Sequence, residues 1–240
     1  MRSADRRYGV PVSGPPSHAR RGLILRHGDE APAALLEEWL TEHGCDYEVH
    51  DATEVPLPSL EGFSFVASLG SVQSATATDP LWVAAEIELL REAIAAEVPV
   101  LGVCFGGQAL SLALGGEVAP AATPQIGWFE LSERVDELPP GPWFHWHYEQ
   151  LSVPPGGEPL AHSEAGPAAF RHGRHLGLQF HPEVTIEVIA SWSRSEAELA
   201  KLGVSAEELR AQSEVLAPLA RHHAWELFGL WWEGLADGDA

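Results

Sequence analysis

The run Val98-Pro-Val-Leu-Gly-Val103 sits between two stretches of helical periodicity, and no other feature constrains the fold as strongly. A strand that is apolar at every position needs cover on both faces, which is the environment of a central strand in a parallel sheet. Before it, Asp79 can cap a helix that has Pro80 at its first position and runs through Ala96. After it, a helical pattern runs from about Gly106 to Leu114 and stops at Gly115-Gly116. Upstream, Gly22–Leu25 has the character of a buried strand. Ala31–His43 carries Leu35, Leu36, Trp39 and Leu40 at helical spacing, and Asp46–His50 and Phe63–Leu69 are further strands. Strands alternating with helices predict an α/β, doubly wound, mostly parallel sheet flanked by helices. Past residue 116 the expectation is short extended segments near Gly127–Leu131, Pro142–His147, Ala168–Arg171 and Leu176–Phe180. Two helical stretches close the chain, Ile186–Leu202 and Ala206–Leu235, with Pro218 kinking or dividing the second. Neither an internal repeat nor a linker interrupts residues 22–240, so a single domain is expected there.

Charge and composition narrow the function classes. The 240 residues carry a formal net charge of −21, with 45% hydrophobic content, which excludes a disordered or low-complexity chain. So acidic a protein is a poor partner for nucleic acid or an anionic membrane, both of which require clustered Lys and Arg. No apolar run approaches the roughly 20 residues needed to span a bilayer. Residues 1–21 differ: Arg2, Arg6, Arg7, Arg20 and Arg21 face a single acid, Asp5, among Pro, Ser and Gly, and the expectation is a flexible basic tail without the apolar centre of a secretory leader. The two cysteines, Cys45 and Cys104, build no disulfide framework, so a reducing cytoplasm is the expected compartment.

The apolar strand runs directly into Gly102-x-Cys104-x-Gly106 and then into a helix pattern. This is the arrangement of a nucleophile elbow with cysteine as the nucleophile. Glycines two positions to either side leave room for a sharp strand-to-helix turn. The helix that follows aims its N-terminal N–H groups at the sulfur and favours the thiolate. The N–H of Phe105 is then placed to bind an oxyanion. Taken alone, the same pattern also fits a small buried cysteine on a core strand.

A second segment is Leu178-Gln-Phe-His-Pro-Glu183. Pro182 disfavours helix at His181, and in extended chain positions i and i+2 share a face, so His181 and Glu183 project together. A base beside a carboxylate that accepts its ring N–H is the logic of a catalytic triad. A solvated His–Glu pair is the alternative for this segment by itself.

Together with Ser68-Leu-Gly-Ser-Val-Gln-Ser74, Ile126-Gly-Trp128 and Phe144-His-Trp-His-Tyr-Glu149, these motifs make the chain resemble the class I (triad) glutamine amidotransferases, in particular their stand-alone, GMP-synthase-like glutaminase branch, from about Gly22 to Leu235. The resemblance implies a flavodoxin-like fold and hydrolysis of the glutamine side-chain amide through a γ-glutamyl thioester, releasing ammonia, with neither cofactor nor metal. It assigns Cys104 as nucleophile, His181 as base and acid, and Glu183 as the orienting carboxylate. Phe105 with Gly70 or Ser71 would form the oxyanion hole, and Gln108, His147, Tyr148 and Glu149 would line the substrate site. Two departures stand out. Ser71-Val72 replaces the family's usual Gly-Pro after Gly70, and Tyr148 stands where a glycine normally lets backbone approach the substrate's α-amino acid end. The second departure leaves open a γ-glutamyl hydrolase or peptidase acting on a γ-glutamyl conjugate. A regulatory protein that keeps the fold without catalysis is a third reading, against which the intact Cys104, His181 and Glu183 argue.

Other residues fill out the expectations. His145-x-His147 with Glu149 has the spacing of metal ligands, but the resemblance gives that strand to pocket lining. Cys45 is expected to pack. The glutaminase match leaves no room for a synthase, which leaves two readings open: a separate synthetase partner with a basic docking face (or a second copy of the chain), or a self-sufficient hydrolase with a preformed oxyanion hole that needs no partner. Adjacent Trp231 and Trp232 face different directions, and one ring is expected to be exposed as an anchor for that partner. Cβ-bearing Ser71 and Val72 could hold the needed loop amide turned away until such a partner sets it.

Overall fold

A computed structural model describes residues 20–194, 199–200 and 203–236. Five strands run parallel: β1 (Arg21–Arg26), β2 (Asp46–Asp51), β3 (Phe65–Ser68), β4 (Val100–Val103) and β9 (His175–Leu178). The order across the sheet is β2-β1-β3-β4-β9, continued by β8 (Gly166–His172) antiparallel to β9 and by β7 (Glu158–Ser163) antiparallel to β8. Strand β7 and the full 12-residue length of β5 (Val118–Phe129) escape the sequence pattern. β5 pairs antiparallel with β6 (Trp143–Leu151) as a separate two-stranded ribbon.

The doubly covered sheet explains the unbroken apolar strands. On one face Ile24, Phe65, Ala67, Leu101 and Val103 pack against α1 (Leu35–Glu42) and the last helix, α5 (Ala206–Ala236). On the other, Leu23, Leu25, Val66 and Val100 pack against α2 (Trp82–Ala95) and α3 (Phe105–Ala113). Successive strand residues thus meet different helices, and both faces of the sheet are buried. A seven-residue helix, α4 (Ile186–Trp192), is capped by the Thr185 side chain, which accepts from the Val188 N–H at 3.4 Å.

Several expectations are corrected. The first helix starts at Leu35, four residues after Ala31, because Ala34 holds φ 37° and the Leu35 N–H is given to the Glu183 carbonyl at 2.9 Å. Asp79 does not cap α2. Pro80 lies in a turn, its carbonyl accepting from the Val83 N–H, and Leu81 occupies the cap position without a side-chain acceptor. Pro218 does not divide the last helix, which runs unbroken for 31 residues. A proline costs the helix one N–H, while Ala220, Ala224, Leu227, Phe228, Trp231 and Leu235 beyond it are all buried and hold the turn in place. Trp231 and Trp232 do not form an exposed anchor: both rings meet Phe65 edge-on, and Trp232 also packs on Trp39 and beneath the Arg20 guanidinium. Of the expected helix Ile186–Leu202, residues 195–198 and 201–202 lie outside the described set, and residues 193–194 form a turn. Of the basic tail, residues 1–19 lie outside it, whereas Arg21 opens β1 and pairs with Glu48 at 2.6 Å. Cys45 is half-buried against the core, and burial pushes its thiol up to about 11. Among the described residues no helix is long and apolar enough to cross a membrane, and no three His, Cys, Asp or Glu side chains are grouped to hold a metal ion.

Candidate active site

Cys104 stands between β4 and α3 at the carboxyl end of the parallel sheet, where open α/β sheets place their sites. Its backbone has φ 52° and ψ −105°, a conformation an L-residue adopts only when the surroundings impose it. Those surroundings are visible. Its N–H donates to the Leu178 carbonyl on β9 at 2.8 Å, and its own carbonyl accepts from the Gln108 N–H in the first turn of α3. The flanking glycines are forced by contact. A Cβ on Gly102 would lie 2.4 Å from the Gly106 carbonyl oxygen, and one on Gly106 would lie 2.0 Å from that of Ser68. The sulfur is 3.7 Å from the Trp146 carbonyl and 3.9 Å from the Gln179 side-chain amide, a donor suited to a thiolate.

His181 and Glu183 follow β9. His181 joins the ribbon through its N–H, which donates to the Phe144 carbonyl at 2.8 Å, and its Nδ1 lies 2.7 Å from Glu183 Oε1. Both side chains are buried, at 3% and 4% exposure. Burial alone would lower the His181 pKa, but the Glu183 charge and then the Cys104 sulfur more than reverse this, raising it to about 10. The arrangement therefore favours an imidazolium beside the Glu183 carboxylate. Trp192 of α4 closes over the imidazole edge-on at 5.0 Å and is tied by its indole N–H to the Glu30 carbonyl at 2.6 Å.

Gly70 and Ser71 follow β3 and reach the same place. A Cβ on Gly70 would meet His181 Cε1 at 2.8 Å and lie 3.8 Å from the Cys104 Cβ, so the loop abuts both side chains. The Leu69 carbonyl accepts from the Gly106 N–H at 3.0 Å, and Ser71 Oγ accepts from the Gln73 N–H at 3.1 Å. Phe105, the first residue of α3, is buried, whereas Val72 at the loop's tip is 95% exposed.

The expected substrate-lining residues divide in two. Gln108 is buried and its amide donates to the Glu149 carbonyl at 3.1 Å, making it a clamp on β6. His147 Nδ1 donates to that same carbonyl at 3.0 Å, which leaves Nε2 to accept from His145 Nδ1 at 3.2 Å. Burial pushes His147 down to about 4 and His145 well below the ordinary value, so both rings are neutral. The Glu149 carboxylate accepts from Ser74 Oγ at 2.8 Å, joining β6 to the loop that follows Gly70. Tyr148 is half exposed on the opposite face of β6 from His147. Sequence reasoning overlooked Gln179, Trp192 and a buried group formed by His27, Ser68 and Glu86. For Gln179, its place in the Gln-Phe-His-Pro-Glu segment was a usable signal, since it accepts from the Leu151 N–H while its amide faces the thiol. The others had none, because their partners are distant in sequence.

Residues 34–190 match the family model for glutamine amidotransferase class-I. The glutamine-hydrolysing GMP synthase of Phenylobacterium zucineum is 32% identical over 178 residues, covering 68% of this chain and 32% of that enzyme. A glutamine-hydrolysing GMP synthase subunit from Ignicoccus hospitalis is 37% identical over 98 residues, covering 36% of this chain and 51% of that protein. This chain thus spans about a third of the longer synthase and half of the Ignicoccus protein. Among solved structures, a glutamine amidotransferase from Methylobacillus flagellatus superposes with a TM-score of 0.82 at 26% identity, covering 90% of this chain and 95% of that one. Another, from Thermotoga maritima, gives 0.81 at 26% identity, covering 89% and 98%. With its mostly parallel sheet flanked by helices, and with a family match across most of its length, this chain belongs to the class I glutamine amidotransferases.

Proposed function

We propose that this protein hydrolyses the side-chain amide of glutamine through a thioester on Cys104 and releases ammonia for a synthetase partner. The observation that carries this reading is the buried Nδ1–Oε1 contact of 2.7 Å between His181 and Glu183 beside a cysteine held at φ 52° on a helix N-terminus. In the proposed sequence the Cys104 thiolate attacks the γ-carbonyl carbon, and the carbonyl π electrons move to oxygen. The resulting oxyanion is held by the Phe105 N–H and by that of Gly70 or Ser71. His181 gives its proton to the departing nitrogen as the C–N bond breaks, so ammonia leaves and the acyl group stays on sulfur. Neutral His181 then takes a proton from water, whose oxygen attacks the thioester. The C–S bond breaks, glutamate departs and thiolate and imidazolium return. Glu183 keeps the Nδ1–H tautomer and stabilises the imidazolium. The Ignicoccus relative bears the name of one subunit of a GMP synthase, which supports delivery of the ammonia to a separate synthetase.

Tyr148, in place of the family's glycine, favours a second reading in which the amide nitrogen belongs to a γ-glutamyl conjugate. The acyl chemistry is the same and the leaving amine differs. Ammonia release from glutamine, measured beside amine release from γ-glutamyl peptides, tests both. Glutamine turnover that is abolished in Cys104→Ala is the expected result, and turnover surviving that substitution would defeat the proposal.

A further inference from the structure

Behind the loop that carries Gly70 and Ser71 lies a buried hydrogen-bonded chain that the reaction does not consume. His27 follows β1, and its imidazole Nδ1 is 2.9 Å from the Gly70 carbonyl oxygen. Its Nε2 is 2.7 Å from Glu86 Oε2 on α2. The second oxygen of Glu86 accepts from Ser68 Oγ, at the end of β3, at 2.6 Å. The side chains of His27 and Glu86 are 1% and 0% exposed. Trp82 stacks on the ring at 4.9 Å and Phe105 meets it edge-on at 4.7 Å, so the imidazole can neither rotate nor withdraw.

Hydrogen-bond chemistry settles where the proton sits. A carbonyl only accepts, so Nδ1 facing Gly70 carries hydrogen in every protonation state of the pair. If His27 is imidazolium, Nε2 donates to the carboxylate; if it is neutral, Nε2 accepts from a carboxyl proton on Glu86. Burial lowers the His27 pKa, but Glu86 and the Gly70 carbonyl outweigh it and the net direction is upward. In a trans peptide the N–H points opposite the C=O, so the bond to Gly70 fixes the Ser71 N–H on the side away from His27. With the Leu69 carbonyl held by the Gly106 N–H, both consecutive peptides that could supply the oxyanion donor are anchored through their oxygens.

We infer that His27, braced by Glu86 and Ser68, is the positioning residue that holds the Gly70–Ser71 peptide in its reactive orientation. This rests on the proposed glutaminase chemistry, and it answers what replaces glycine and proline in a loop that reads Gly70-Ser71-Val72. A donor fixed to the protein body sets the peptide from behind, so no partner is required to turn it.

Three substitutions separate this role from simple packing. An asparagine amide nitrogen overlies Nδ1, so His27→Asn keeps the donor to Gly70. A glutamine amide nitrogen overlies Nε2, so His27→Gln keeps only the contact with Glu86. His27→Leu keeps bulk alone. Steady-state glutamine hydrolysis should show kcat lowered roughly 10²-fold in His27→Gln and His27→Leu, the scale of losing one oxyanion donor. KM should stay within about threefold, because an oxyanion contact acts on the transition state, and His27→Asn should recover most of kcat. Crystal structures should show the Gly70–Ser71 peptide turned in His27→Gln and retained in His27→Asn. Equal kcat in the Asn and Gln variants, or an unmoved peptide in His27→Gln, would overturn the inference, and the Asn–Gln contrast decides it even if His27→Leu fails to fold. A rise in kcat on losing the donor would also overturn it, since His27 would then be holding an unreactive orientation. Should the wild-type protein fail to hydrolyse glutamine, the proposed function falls, while the crystal structures still decide whether His27 holds the peptide.

Discussion

Replacing Glu183 by Gln removes a charge and leaves an oxygen that can still accept from His181 Nδ1, so it isolates the electrostatic part of the pair. The contact is 2.7 Å and both side chains are buried. At an effective dielectric near 20, two unit charges about 4 Å apart attract by about 4 kcal/mol. That corresponds to about three pH units of proton affinity. The Glu183 charge is the largest of the influences that raise His181, and burial opposes it, so the variant should lose its imidazolium proton near neutrality instead of near pH 10. Histidine labelled with carbon-13 at Cε1, with His181 assigned by its absence in His181→Ala, would follow that proton directly by NMR. The kcat for glutamine should fall on the order of 10²–10⁴-fold, since the base is oriented but its imidazolium is no longer stabilised. A His181 midpoint displaced by less than about one pH unit would refute the reasoning, because some group other than Glu183 would then be holding the proton.

Three further outcomes follow from the same geometry. Gly106→Ala sets a methyl group 2.0 Å from the Ser68 carbonyl oxygen, so urea denaturation should show a loss of about 3 kcal/mol or more; a near-neutral change would mean that β3 and α3 can part without cost. Cys104→Gly should be more stable than Cys104→Ala by about 1 kcal/mol, reversing the usual order of the two residues, because only glycine is unstrained at φ 52° and ψ −105°; the ordinary order in a melting experiment would count against a strained elbow. Acidification should destabilise the protein between about pH 6.5 and pH 4. Burial holds His147 and His175 down at about 4, so the unfolded chain takes their protons first, and stability present above the ordinary histidine range is lost as pH falls toward 4. The two residues contribute on the order of 2–3 kcal/mol each. A urea midpoint that stays constant from pH 7 to pH 4.5 would contradict this.

Much of this architecture is local in origin, and so was readable in one dimension. The apolar run ending at Val103, the glycines around Cys104 and the helix pattern after Gly106 are adjacent in sequence, and together they specify a strand, a tight turn and a helix. His181 and Glu183 are two residues apart, so their pairing needed no long-range information, although Pro182 and Glu183 form a turn and not the extended chain that the proline led one to expect. Locally weak signals failed. Strand β7 has no clean alternation, Asp79 resembles a cap but lies outside the helix, and Pro218 resembles a breaker but is overruled by the buried residues that follow it. What brings Cys104, His181 and Gly70 together is the order of β3, β4 and β9 across the sheet, since neighbouring parallel strands end at the same edge. The His27–Glu86–Ser68 chain behind Gly70 joins residues 18 to 59 positions apart, one just past β1, one on α2 and one on β3. Local propensity carries no trace of such a bond, because its energy comes from burying polar groups that only the finished packing makes neighbours.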